Sequence, residues 1–238
     1  MPDLRHILVI DIETASLSPD FSMLEPRLQA EWAKKSVYLK NDENLSPEDL
    51  FNSRAGIYAE FGKIICIGVG YFNKNDQGIM NLRIKAIYSD DEKSILLEFK
   101  ELLEKRFDKE KTSLCAHNGK EFDYPYLCRR FLINGIPLPS ILDISSRKPW
   151  EINHIDTMDL WKFGDRKSYT SLELLATIFG LETSKKEMDG SMVNKVYYEE
   201  KNLEKIKEYC LQDVIVTANL YLKLNSKPEI SPENVVRA

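Results

Sequence analysis

No apolar run in this 238-residue sequence approaches the eighteen or so residues that a helical membrane span requires. The apolar stretch at 7–10 is short and runs directly into acids, so a secretory leader is not expected. Cysteine is scarce. Cys66, Cys115, Cys128 and Cys210 form no CxxC pair and sit mostly in apolar contexts, as small buried hydrophobes in a reducing compartment rather than as a zinc site or disulfide frame. Positive charge is not in excess either. A formal net charge of −5 and a pI near 5.4 argue against tight, sequence-independent coating of duplex nucleic acid. Acidity still leaves room for a nucleic-acid enzyme, because metal-binding carboxylates bring negative charge of their own. A cytoplasmic protein with no membrane contact is the expectation.

What is present is an alternation of strand and helix signals. Residues 4–12 read as a first strand, and 63–72 and 79–88 as a hairpin around the turn-rich NKNDQG. The following helix, SDDEKSILLEFKELLEKRF, opens with Ser89 and Glu92 in capping-box spacing. SLCAH (113–117) is a short buried strand broken by Asn118-Gly119, and a helix is expected from about Asp123, with Pro125 tolerated in its first turn. Thr170 and Glu173 are expected to cap SLELLATIF, which Gly180 stops. Residues 202–224 form a long amphipathic pattern, and the chain after Lys227 is expected to fray.

This order predicts one α/β domain over 1–227 with a mixed sheet, followed by a tail at 228–238. Residues 18–60 interrupt it as a polar, partly helical insertion in which SPEDLF carries a capping signature. Its aromatics, Phe21, Trp32, Phe51 and Tyr58, either pack the insertion against the body, the favoured reading, or stack on bases.

The first strand ends in a way that asks for a counterion. Side chains alternate along a strand, so Asp11 and Glu13 emerge on the same face, close together, from a segment that reads as covered on both sides. Two carboxylates so placed repel and lose hydration unless a positive charge lies between them. Asp213 raises the same question inside YCLQDVIVTANL. It adjoins the apolar stripe of a helix, and Tyr209, Cys210, Val216 and Thr217 occupy the positions three and four away, so no helical neighbour is basic. Tyr209 shares its face. Asp123, in HNGKEFDYPYL, is compatible with a helix cap as well as with a ligand. The four acids together carry a formal charge of −4, matched by two divalent cations. Hard oxygen ligands suit Mg2+ or Mn2+, and a pair of such ions suits in-line cleavage of phosphodiesters.

Three ordered motifs then resemble a family. DIET (11–14), N-x-x-x-F-D-x-P-Y (118–126) and Y-x-x-x-D (209–213) resemble the motifs of DEDD-type 3′→5′ exonucleases of the tyrosine branch; the histidine branch would carry His where this sequence has Glu208. The second motif is most similar to the proofreading domain of family B DNA polymerases, and HIDTMDLWKFG and KEMDGSMV look like stand-alone bacterial relatives of that domain. The resemblance implies a ribonuclease H-like fold with a five-stranded mixed sheet flanked by helices. It implies that Asp11, Glu13 and Asp213 hold one divalent cation, Mg2+ or Mn2+, and that Asp11 and Asp123 hold a second. Tyr209 would orient the attacking water, while Thr14, Asn118 and Phe122 would position the terminal nucleotide. The implied substrate is single-stranded nucleic acid with a free 3′ end, DNA ahead of RNA. The sequence shows no polymerase domain, so any polymerase or repair partner would act in trans.

Other residues read less sharply. Lys162, Arg166, Lys167, Lys185, Lys186, Arg129 and Arg130 offer cations for phosphates, with a solvated surface as the favoured alternative. Asp156 and Asp159 read as structural, His154 as a packing residue, and His117 as ambiguous. KEMDGSMV looks like a turn over the site, without an assigned role.

Overall fold

The computed structural model describes residues 3–42, 44–148, 151–165, 169–183 and 188–238. Six strands form one sheet: β1 (Ile7–Ser16), β2 (Gly62–Lys74), β3 (Met80–Tyr88), β4 (Ser113–Ala116), β5 (Ile155–Asp156) and β6 (Val235–Arg237). Their spatial order is β5-β4-β1-β2-β3-β6. β2 lies between β1 and β3 and runs antiparallel to both, while β4 runs parallel to β1, β5 to β4 and β6 to β3. The sheet therefore has one strand more than the five expected. The addition is β6, built from the segment expected to fray; Val235–Arg237 instead pairs with the edge strand β3.

Eight helices are described: α1 (Pro26–Ser36), α2 (Pro47–Arg54), α3 (Glu92–Arg106), α4 (Asp123–Ile133), α5 (Thr157–Lys162), α6 (Leu172–Phe179), α7 (Val193–Tyr198) and α8 (Leu203–Leu224). Three caps differ from the sequence reading. Asp91, not Ser89, caps α3 by accepting from the Lys93 N–H. Ser171, not Thr170, caps α6. Asp123 is the first residue of α4 rather than its cap, a position taken by Phe122.

The central strand explains its own apolar run. Leu8, Ile10 and Ile12 enter a core shared with Leu96 and Phe99 of α3 and with Tyr124 and Leu127 of α4, while Ile7 and Val9 pack with Val214, Ala218 and Tyr221 of α8. With both faces covered there is no polar side to alternate, hence ILVI. The aromatics of residues 18–60 pack: Trp32 and Phe51 are fully buried with Leu24, Leu50 and Phe61, and Phe21 and Tyr58 lie against them. The Trp32 Nε1–H donates to the Pro47 carbonyl at 2.7 Å, satisfying the indole inside that cluster.

Arg130 is a correction of another kind. Its guanidinium is buried and doubly bonded to Glu92, with Nε at 2.8 Å and Nη2 at 2.5 Å from the carboxylate, and Nη1 donates to the Ala59 carbonyl. It cannot reach a phosphate in solvent. Arg129 is exposed, Lys162 pairs with Asp159 at 3.7 Å, and Arg166, Lys167, Lys185 and Lys186 lie outside the described residues. Among the described residues no helix is long and apolar enough to cross a membrane.

Candidate active site

Two glycines allow the site to assemble. α8 crosses the face of the sheet that carries Val9, Asp11 and Glu13, above β2 residues Gly70, Gly68 and Cys66, which lie opposite them. A Cβ on Gly68 would sit 2.8 Å from Val214 Cγ2 and 2.9 Å from Cys210 Sγ, and one on Gly70 2.7 Å from Val214 Cγ1. The helix can approach this closely only because those side chains are missing. Tyr209, Cys210 and Asp213 are thereby brought over the end of β1.

β1 itself is irregular where it matters. Its register with β2 shifts between Glu13 and Thr14, a bulge of the kind that re-aims side chains. The Thr14 hydroxyl bonds to the Tyr126 hydroxyl, which donates to the Gly56 carbonyl at 2.8 Å. Asp123 approaches from the opposite side on α4, its carboxyl accepting the backbone N–H of Ile12. The four acids expected from the sequence are thus close enough to shift one another.

They do so strongly. Burial, then the charges of Asp213 and Asp123, push the Asp11 carboxyl well above the usual carboxylate range. Burial, then Asp11 and Asp213, do the same to Glu13. Asp123 is pushed up to about 7 by burial, against the opposing pull of its own N–H. Among the described residues, the neighbours that shift Asp11 and Glu13 most are acids and the thiols of Cys66 and Cys210. Tyr209 is buried, hydrogen-bonded to Asp213, and held firmly neutral by burial and the surrounding carboxylates.

This donor set fits a divalent cation. Asp11 Oδ2 is buried with no hydrogen-bond partner among the described residues, an expensive state for a carboxylate oxygen unless something positive meets it. Asp11, Glu13 and Cys210 each bring a ligand-capable atom within 4.8 Å of the others. The Cys210 thiol, raised well above its usual range by burial, points its sulfur at the Asp11 carbonyl at 3.5 Å. The atoms on offer are therefore mainly hard oxygens, which suit Mg2+ or Mn2+.

Two clefts open beside the acids. One, of about 180 Å³, is lined by Asp11, Asp213 and Tyr209 together with His117, Tyr169 and Glu173. The other, of about 220 Å³, joins Glu13, Thr14 and Phe122 to Ser53 in α2, Ile57 after it, and Ser191 and Asn194 before and in α7. Asn118 sits at the turn after β4 with φ of 59°, its N–H bonded to Asp156 and its Oδ1 buried without a partner among the described residues.

Several of these carry no assigned role from sequence. His117 bridges Thr157 Oγ1 and the Thr170 carbonyl, both at 2.9 Å, and burial lowers its pKa, so it faces the cleft as a neutral ring. The sequence pattern gives Glu173 only a capping role, Cys210 only a hydrophobic one and KEMDGSMV none, whereas Glu173 lines the first cleft and Gly190 and Ser191 wall the second. The structure gives Asp156 to architecture: its carboxylate accepts the N–H groups of Asn118, Lys120 and Met158. His154 is likewise structural, bonded to Leu114 N–H and the Ile141 carbonyl, with burial lowering its pKa to about 4.

Comparison with known proteins follows the same outline. A family model described as a predicted 3′-5′ exonuclease related to the exonuclease domain of PolB matches residues 57–234. That span includes Asp123, Tyr209 and Asp213 and leaves β1, with Asp11 and Glu13, outside it. Among solved structures, the chain resembles the family B DNA polymerase of the hyperthermophilic archaeon Pyrobaculum calidifontis, with a TM-score of 0.58 and 16% identity over 92% of this chain and 24% of that one. At that identity the likeness is one of fold, the ribonuclease H-like α/β arrangement, and this chain spans about a quarter of the polymerase's length. No curated protein matches the sequence.

Proposed function

The chain belongs to the family of predicted 3′-5′ exonucleases related to the exonuclease domain of PolB, and on that premise we propose that it hydrolyses single-stranded DNA from the 3′ end, releasing nucleoside 5′-monophosphates. The observation that carries this reading is Asp11 Oδ2, buried without a hydrogen-bond partner among the described residues and set among acids that raise its pKa. Asp11, Glu13 and Asp213 would hold one divalent cation, and Asp11 with Asp123 a second. When bound, such cations supply neutralisation of the phosphate and stabilisation of the leaving oxygen, the two electrostatic obstacles to phosphodiester hydrolysis.

The remaining tasks fall to the chain. Tyr209, neutral and bonded to Asp213, has a lone pair to orient the attacking water and is too weak an acid to serve as a base. Glu13, Thr14 and Phe122 share a cleft of a size for a terminal nucleoside, with Phe122 offering a ring beside the base. Asn118, whose Oδ1 has no hydrogen-bond partner among the described residues, would accept a hydrogen bond from the terminal sugar. A polymerase or repair factor is the kind of partner such an activity would serve.

The deciding experiment uses 5′-labelled DNA and RNA of one sequence with Mg2+ or Mn2+. Stepwise shortening of DNA supports the reading, and none should occur with Asp213→Asn. Internal cuts would overturn the polarity, and preferential RNA shortening would make the protein an exoribonuclease.

A further inference from the structure

A wide groove lies away from the carboxylates. Along β3, Leu82 and Ile84 enter the core under α8, which leaves Asn81, Arg83 and Lys85 on the other face of the sheet. Lys85 is engaged by Glu98 of α3 at 2.7 Å. α3 ends at Arg106, and the next residue, Phe107, sets its ring edge-on to Tyr71 of β2 with centroids 6.2 Å apart. Together these residues open a groove of about 1420 Å³ lined by Tyr71, Arg83, Arg106 and Phe107, with Lys74 and Lys227 at its margins.

The groove is rich in unmet polar demand. Arg83 lies directly across from Tyr71, and Asn81 across from Asn73. Arg83 Nε, Asn73 Oδ1 and Asn81 Oδ1 are buried with no hydrogen-bond partner among the described residues, three such atoms on one cross-strand patch. Buried polar groups ordinarily find partners, so three together point to something that is bound there. Two of the groove's acids are already engaged, Asp3 by Arg5 at 2.6 Å and Asp108 by Lys111 at 3.4 Å, and among the described residues neither Arg83 nor Arg106 has an ion-pair partner.

We propose that this groove binds a nucleoside phosphate, free or as one unit of a nucleic-acid strand, its phosphate on Arg83 and Arg106 and its base against Tyr71 and Phe107. A guanidinium fork matches phosphate geometry, aromatic faces stack on bases of any sequence, and paired asparagine amides can bond to base edges or sugar hydroxyls. The site is separate from the acidic one. Tyr71 pairs with Leu8, three residues before Asp11 on β1 and therefore on the opposite face, roughly 10 Å further along the strand. The proposal does not depend on the exonuclease reading.

The test is calorimetric titration of the full chain in EDTA, carrying Asp213→Asn so that no cleavage intervenes. The probes are thymidine 5′-monophosphate, a short oligothymidylate, thymidine and inorganic phosphate. Saturable binding of the mononucleotide or the oligonucleotide is expected, weakened about tenfold or more by Arg83→Gln and less by Arg106→Gln, whose exposed helix-end position tolerates change. Whichever of the two binds more tightly identifies the source of the ligand. Three results would overturn the proposal: no saturable binding of either nucleotide, binding indifferent to both arginine variants, or inorganic phosphate binding as tightly as the nucleotides.

Discussion

Gly68 of β2 lies directly across from Asp11 of β1, and a methyl group there would come within 2.8 Å of Val214 and 2.9 Å of Cys210 on α8. Because Asp213 and Tyr209 ride on that helix, the glycine sets the separation between the two halves of the acidic cluster. Gly68→Ala should lift α8 and cost about 1–3 kcal/mol by overpacking. Affinity for Mn2+ should fall about tenfold or more while the fold persists, since ligand geometry is the part displaced. A Mn2+ titration alongside denaturant unfolding separates the two effects, and unchanged Mn2+ affinity would break the link between Gly68 and the acids.

That dependence marks how far the sequence could be read. β1, the hairpin and α8 were legible because their apolar periodicity is long, and Asp213 stood out because an acid beside an apolar stripe needs a partner. β5 is two residues long and β6 three, and neither has a local signal; each exists because a neighbouring strand offers an edge. Capping was blurred where acceptors crowd, with Ser89, Asp90 and Asp91 adjacent and Asp91 in the cap. Gly68, Cys210, Ile57 and Asn194 reach the candidate site only through tertiary packing, which pattern and spacing do not encode.

Tyr209→Phe removes one oxygen from a buried ring that touches Asp213. Should the hydroxyl orient the attacking water, turnover should drop about 10- to 100-fold with Mn2+ affinity unchanged. A merely structural ring would instead lower stability and spare the rate. Single-turnover kinetics read together with a metal titration distinguishes the two.

Metal-free stability should fall as pH rises across the site's own range. Folding raises the Asp123 carboxyl from 3.8 to about 7. The folded state therefore binds a proton that the unfolded chain has released, and its contribution to stability is whole below pH 3.8 and lost by about pH 7. Asp11 and Glu13 are shifted in the same direction. The combined loss should be on the order of a few kcal/mol. Melting in EDTA should give a lower Tm at pH 8 than at pH 5.5, Asp213→Asn should flatten the slope, and millimolar Mn2+ should raise Tm more at pH 8, where carboxylates no longer surrender protons to bind it. A Tm in EDTA that rises steadily from pH 5.5 to 8 would mean that the acids are already compensated within the fold.

Arg130 provides a contrast in which charge is structural. Its fork closes on Glu92, whose carboxylate also accepts the Ile64 N–H at 2.8 Å and the Asn134 amide at 2.9 Å, so this one pair ties α3, α4 and β2 together. Removing one member leaves the other buried without its partner. Arg130→Ala should therefore destabilise by about 3–5 kcal/mol, seen as a lower denaturation midpoint. Arg130→Met with Glu92→Gln should recover much of that loss, because the glutamine amide keeps an acceptor for Ile64 while no charge remains unpaired. For exposed Arg129 the same substitution should leave stability within about 0.5 kcal/mol of the parent. A stable Arg130→Ala with weakened nucleic-acid binding would return this residue to the phosphate-contacting role its basic character suggested.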